Sequence, residues 1–250
     1  MKQQNKQSLL ILCPWILGFV AAFLRRALYI QATDTKGLLI RNHPLAFALW
    51  AVVAFGAAWI VLTVWKLDGS NSYEKNFGKT LPTGYLLLAG TIGIMVLFGT
   101  FSSAGRVGML LRVLGILCIP ALIWGGIDRY RGKMPCFLVH VVLCLFLLLY
   151  TVSRYQLWSG NPQMQDYVFE LLALLALTLF SYHCAAFETG TGNRRQQLAT
   201  GLLAILFCGA ALGRTDNAVF YVSGMLWAAN DLCRLTPPPA KEEAENHDPS

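Results

Sequence analysis

Charge is what this sequence has least of. Only 13% of its 250 residues are Asp, Glu, Lys or Arg, while 56% are hydrophobic and the mean hydropathy is +0.51. An average soluble domain is about one-quarter charged, so that class is excluded. The marks of soluble enzymes are missing too: there is no His-Glu-x-x-His, no Gly-x-Ser-x-Gly and no Cys-x-x-Cys. "NFGKT", residues 76–80, ends as a phosphate-binding loop does, but that motif needs a further Gly where Tyr73 stands. No basic patch on a soluble face suggests nucleic acid. The seven cysteines are odd in number and scattered over apolar runs, which excludes a disulfide frame. Strict alternation of apolar and polar residues is also absent, and with it a transmembrane β-barrel.

Long apolar runs are present instead. A helix needs about 20 mostly apolar residues to cross a hydrocarbon core of roughly 30 Å. Six runs reach about that length: Leu9 to Tyr29, Leu45 to Trp65, Gly84 to Phe101, Val107 to Ile127, Met134 to Val152 and Tyr167 to Phe187. Two shorter ones, Leu198 to Leu212 and Ala218 to Leu232, read either as short spans or as one re-entrant hairpin turning at "GRTDN". The expected fold is therefore an all-α, polytopic transmembrane helix bundle of about eight spans over residues 1–233. Residues 234–250 follow as a Pro-rich, acidic, cytoplasmic tail with the composition of disorder. Tyr29, Trp65, Trp124, Tyr130, Tyr150, Tyr155 and Tyr167 stand at run ends, where amphipathic rings prefer the headgroup level. The first run reads as an uncleaved span rather than a signal peptide, because its core is long and Arg25 and Arg26 follow a weak cleavage motif. With the N-terminus cytoplasmic, 12 Lys and Arg fall inside and 8 outside, which favours both termini inside. The net charge of +7 is spread over both faces and suits anionic lipid.

Function must be built within or between the helices. At the outer end, Glu170 lies inside the sixth run on one face with Leu177, Ser181, Cys184 and Glu188. An ionisable group within a span is a functional hypothesis with its partner to be named. Arg112 or the Arg25–Arg26 pair is the expected partner, with Arg154 in the same leaflet. Seven of the eight outer cations are Arg, the residue suited to forked carboxylate or phosphate contacts. Glu170, Arg112, Arg25, Arg26 and Arg154 therefore form the candidate binding set for a small anionic solute, with helix-end ion pairing as the plainer reading. At the inner end, Cys136, His140 and Cys144 share a face of the fifth run. His140 and His183 also lie at matched depth on adjacent antiparallel runs, with Cys184 beside them. Paired His would suit haem, and mixed His and Cys a soft metal; packing cysteines and interfacial His are the plainer reading. Pro120 sits inside the fourth run, and Gly209 with Gly213 has the spacing of close helix approach.

The segment "WSGNPQMQDYVFELLALLALTLFSYHCAAF", residues 158–187, resembles uncharacterised multi-pass membrane proteins of anaerobic Firmicutes, in which Asn/Asp-Pro and a Tyr precede a span ending in a polar aromatic cluster. The resemblance implies a bacterial inner membrane and carries no activity. Three functional readings follow: a binding or transport module for a small, anionic solute; a membrane redox, metal or haem protein; and a non-catalytic sensor or assembly factor working through a membrane-protein partner.

Overall fold

The computed structural model describes residues 2–32, 43–66, 81–99, 106–159, 167–213, 215 and 217–233, without the side chains of residues 2–9 and 106. The tail at 234–250 and "NFGKT" at 76–80 lie outside the described residues. Among the described residues there are eight α-helices: α1 (Lys2–Gln31), α2 (Pro44–Trp65), α3 (Thr83–Phe98), α4 (Arg106–Tyr130), α5 (Leu138–Ser159), α6 (Val168–Glu188), α7 (Arg194–Ala211) and α8 (Ala218–Leu232). Among the described residues there is no strand. Helices α3 to α8 close into a ring of neighbours, each packed on the next and α8 returning to α3, while α1 and α2 pack together and on α7. Successive helices run antiparallel. The ring thus has a terminal end, where α1 begins and α8 finishes, and a distal end opposite.

Five segments are long and apolar enough to cross a membrane: Leu10–Gln31, Pro44–Trp65, Val107–Tyr130, Leu138–Ser159 and Val168–Glu188, with α3 a shorter apolar sixth. The count of eight spans is corrected to five or six on that measure. The reason lies in α7 and α8. Both run the length of the ring, since α7 carries Gln197 beside Asp231 at the terminal end and Ala211 beside Arg25 at the distal end. Likewise α8 carries Tyr221 beside Glu170 distally and Asp231 beside Tyr85 terminally. That geometry replaces the re-entrant hairpin. Helix α7 contributes none of the large exposed apolar side chains that every other helix shows. A helix wrapped in protein can use small and polar residues where a lipid-facing one must use large apolar ones.

The fifth run ends later than expected. Ser153 to Ser159 continue α5 rather than forming a loop, because Arg154 and Trp158 are buried there and stack on each other. Tyr150 is accordingly a buried residue and not a headgroup anchor, whereas Trp65, Trp124 and Tyr130 are exposed as the anchor reading expects.

Two turns set the terminal end. Helix α4 ends in a paired closure, Gly132 N to Arg129 O and Lys133 N to Asp128 O, and α6 in the same closure, Gly190 N to Phe187 O and Thr191 N to Ala186 O. Gly132 and Gly190 have φ of 72° and 77°, the left-handed conformation this helix stop requires. The stops leave Arg129 and Glu188 in the final turns of α4 and α6, where Arg129 faces Glu188 and Asp231, and Glu188 faces His140.

The Gly209–Gly213 pair is the crossing of α7 on α1. A Cβ on Gly209 would lie 2.7 Å from Gly18 Cα, and one on Gly213 would lie 2.6 Å from the Ala22 carbonyl oxygen. Nothing lies within 4 Å of a Cβ built on Gly90. Gly209→Val is expected to destabilise the detergent-solubilised protein by about 1–3 kcal/mol through overpacking. Gly90→Ala should leave stability unchanged or raised by up to roughly 1 kcal/mol, as read from unfolding curves of the two variants side by side.

Candidate functional site

Two buried polar clusters occupy the two ends of the ring. The terminal one draws a polar side chain from each of six helices. Tyr85 of α3 places its hydroxyl 3.0 Å from His140 Nε2 of α5 and donates to Asp231 Oδ1 of α8 at 3.3 Å. His140 Nδ1 lies 2.9 Å from Glu188 Oε2 of α6. Arg129 of α4 stands between the acids, its Nη2 being 3.5 Å from Glu188 Oε1 and 3.8 Å from Asp231 Oδ1. Gln197 of α7 donates Nε2 to Asp231 Oδ2 at 3.2 Å, and the Cys184 thiol reaches the same oxygen at 3.5 Å. Trp227 stacks over the His140 ring with centroids 6.2 Å apart. His140, Gln197 and Asp231 are each 0% exposed.

The helices fix this convergence. Antiparallel order brings the last turns of α4, α6 and α8 level with the first turns of α3, α5 and α7, so polar residues at alternating helix ends meet in one layer. Ser181 ties α6 to α5 by donating to the His140 carbonyl at 2.9 Å. Arg194, in the first turn of α7, is a further buried cation at this end.

The distal cluster centres on Glu170. Its Oε1 lies 3.8 Å from Arg25 Nη2 and its Oε2 3.8 Å from Arg154 Nη2. Thr215 and Tyr221 donate to Oε2 at 3.2 and 3.3 Å. Both arginines also have structural work. Arg25 Nη1 donates to the carbonyls of Ala210 and Ala211 at 3.3 and 3.0 Å, closing the free end of α7. Arg154 lies over the Trp158 ring, 4.6 Å from its centroid.

Of the five residues in the expected outer set, Glu170, Arg25 and Arg154 come together, and Arg26 and Arg112 do not. Arg26 and Arg112 are exposed. The Arg112 guanidinium lies beside Gly99 at the end of α3, where a cation complements the helix dipole. In the inner set, His140 and Cys184 enter the terminal cluster. Cys144 instead contacts the Thr178 carbonyl at 3.7 Å, and Cys136 is exposed. His183 is half-buried with its ring against Tyr182, on a face turned about 100° from that of the buried Cys184. Among the described residues, no three His, Cys, Asp or Glu are grouped to hold a metal ion.

Tyr85, Arg129, Gln197 and Asp231 carry no motif that marks them in the sequence. Arg129 is one of the 12 Lys and Arg on the inner side, and Asp231 lies in the final turn of a short run. The signal that finds them is depth. Sorting polar residues by their distance from run ends, with direction alternating, places Tyr85, Arg129, Glu188, Gln197 and Asp231 within two residues of the run ends on one side, with His140 six residues inside its run.

Removing Glu170 strands two buried cations, and breaking such a buried group by removing one partner costs about 3–5 kcal/mol. Glu170→Ala is therefore expected to lower stability by that order, whereas Arg112→Ala should stay within roughly 0.5 kcal/mol. Chemical unfolding of both variants in the same micelles checks the contrast.

No protein-family model matches the chain, and neither a curated protein nor a solved structure is similar to it.

Proposed function

We propose that the chain is a membrane-embedded binding or transport module for a small polar solute, received at the terminal cluster of the α3–α8 ring. The observation that carries this reading is two buried polar atoms with no hydrogen-bond partner, Gln197 Oε1 and Trp227 Nε1, beside Glu188 Oε1, which has its ion pair with Arg129 but no hydrogen bond. More than nine in ten buried polar groups in folded proteins are satisfied, so two such atoms at one end mark a place for a polar occupant. The Gln197 oxygen calls for a donor and the indole N–H for an acceptor. Two carboxylates, Glu188 and Asp231, meet at this end, and they suit a solute bearing an amine or amide. An anionic group would find its complement at the distal end, where Arg25 and Arg154 both face Glu170.

Ion-paired clusters at both ends with an apolar middle, lined by Leu88, Ile92, Phe146, Leu177 and Ile205, suit a protein closed to both sides whose ends open in turn. The 12-to-8 division of Lys and Arg supports a terminal end facing the cytoplasm, and the resemblance of residues 158–187 supports a bacterial inner membrane.

Thermal unfolding of the purified protein against panels of small amines, amides, zwitterions and anions is expected to reveal at least one stabilising class. Trp227→Phe, which removes the indole N–H and keeps an aromatic ring, should weaken that ligand roughly 2- to 13-fold, the worth of one hydrogen bond. No stabilisation by any class would refute the reading.

A further inference from the structure

The terminal cluster contains more hydrogen bonds than it has ordinary protons to fill. Asp231, Tyr85, His140 and Glu188 form a linear chain of three contacts, at 3.3, 3.0 and 2.9 Å. Each hydrogen bond takes one proton. A phenol brings one, a neutral imidazole one and a carboxylate none. Two protons are thus available for three bonds.

The direction of the Tyr85 proton decides where the shortfall falls. Asp231 Oδ2 receives Gln197 and Cys184, and its Oδ1 faces Arg129, so this carboxylate accepts on every side. Where Tyr85 gives its one proton to His140 Nε2, the shortfall falls on the Tyr85–Asp231 contact; where it gives it to Asp231 Oδ1, the shortfall falls on His140 and Glu188. In the second case the Tyr85 oxygen has only lone pairs to offer His140, and Nε2 must carry the imidazole proton. That leaves Nδ1 bare, 2.9 Å from a carboxylate oxygen, an arrangement of two acceptors that repel. One added proton, between Nδ1 and Glu188 Oε2 in this case or at the Tyr85–Asp231 contact in the other, converts the repulsion into a bond.

We propose that the terminal cluster is a proton-binding site, in which the Asp231–Tyr85–His140–Glu188 chain holds one proton beyond those of a phenol, a neutral imidazole and two carboxylates. The chain is also a relay. If Glu188 passes its proton to Nδ1, Nε2 passes one to the Tyr85 oxygen and Tyr85 passes its own to Asp231, then the extra proton moves from one carboxylate to the other. Tyr85 ends as a neutral phenol and His140 as the opposite neutral tautomer, so every proton is accounted for. Among the described residues, the groups facing this chain include Arg129 from α4, Cys184 from α6, the non-titrating Gln197 from α7, and Trp227 from α8 stacked on the imidazole. The inference shares its site with the proposed solute binding, and within that reading the stored proton is the ion a cationic solute would displace.

The test needs no solute, so its failure and the failure of the solute panel are separate results. The protein holds four His, at 43, 140, 183 and 247. With uniform 15N-histidine labelling in lipid nanodiscs near neutral pH, the His140 ring signal is assigned by its loss in His140→Gln. Should that variant fail to fold, a triple His43→Gln, His183→Gln, His247→Gln protein leaves His140 as the sole labelled ring. Infrared spectra of the same samples report protonated carboxyl groups, assigned with Glu188→Gln and Asp231→Asn. Two results support the proposal. One is a His140 ring protonated on both nitrogens. The other is a neutral ring together with one protonated-carboxyl band per chain that is lost in Glu188→Gln or in Asp231→Asn. A neutral His140 with no protonated-carboxyl band assignable to either acid overturns it.

Discussion

A buried guanidinium must meet opposite charge, and the terminal end of this bundle is organised around that requirement. Arg129 is 2% exposed and stands between Glu188 and Asp231. Its two acids sit on helices that do not adjoin α4 in the ring, so satisfying one arginine draws α6 and α8 inward toward α4. The remaining polar groups follow from the acids. Glu188 engages His140, Asp231 engages Tyr85, Gln197 and Cys184, and through these contacts α5, α3 and α7 join the same layer. An ion pair inside a low-dielectric medium does not by itself guarantee stability, because desolvation offsets much of the attraction. What it does enforce is arrangement, since a half-made cluster would leave an unpaired charge in hydrocarbon.

The second constraint is steric. Helix α7 is enclosed by α6, α8, α1 and α2, and it can be so enclosed only because it is built from small residues where its neighbours press closest. The near contact of Gly209 with Gly18 lets α1 lie against it backbone to backbone, and Arg25, two turns along α1, then reaches the open carbonyls of Ala210 and Ala211. The same arginine takes Glu170 from α6. Close packing and electrostatics thus share one residue at the distal end, which ties the α1–α2 pair to the ring.

The class of the protein and most of its helices were legible in the sequence because lipid demands long apolar runs, and such runs are visible without any knowledge of neighbours. The inward face of α6 was legible too. Glu170, Leu177, Ser181, Cys184 and Glu188 follow the helical repeat, and all five are buried. Partner identity was not legible, since which azimuth of α4 or α5 turns inward depends on packing that one sequence does not display. Hence Arg112, close to Glu170 in expected depth, turns out to the end of α3, while Arg154, in what read as a loop, turns in. The length and burial of α7 and α8 were hidden for a related reason. Enclosed helices are released from the hydropathy rule that reveals exposed ones, so the two helices supplying Gln197, Tyr221, Trp227 and Asp231 carry the weakest apolar signal.

The account stands on the terminal cluster being one coupled unit rather than a set of neighbouring polar residues. A double-mutant cycle on Arg129→Ala and Asp231→Ala, read by equilibrium unfolding in mixed micelles, measures that coupling directly. The predicted result is a double variant less destabilised than the sum of its singles by about 0.5–3 kcal/mol, since the second truncation removes a charge the first has already stranded. Additivity within roughly 0.5 kcal/mol would contradict it.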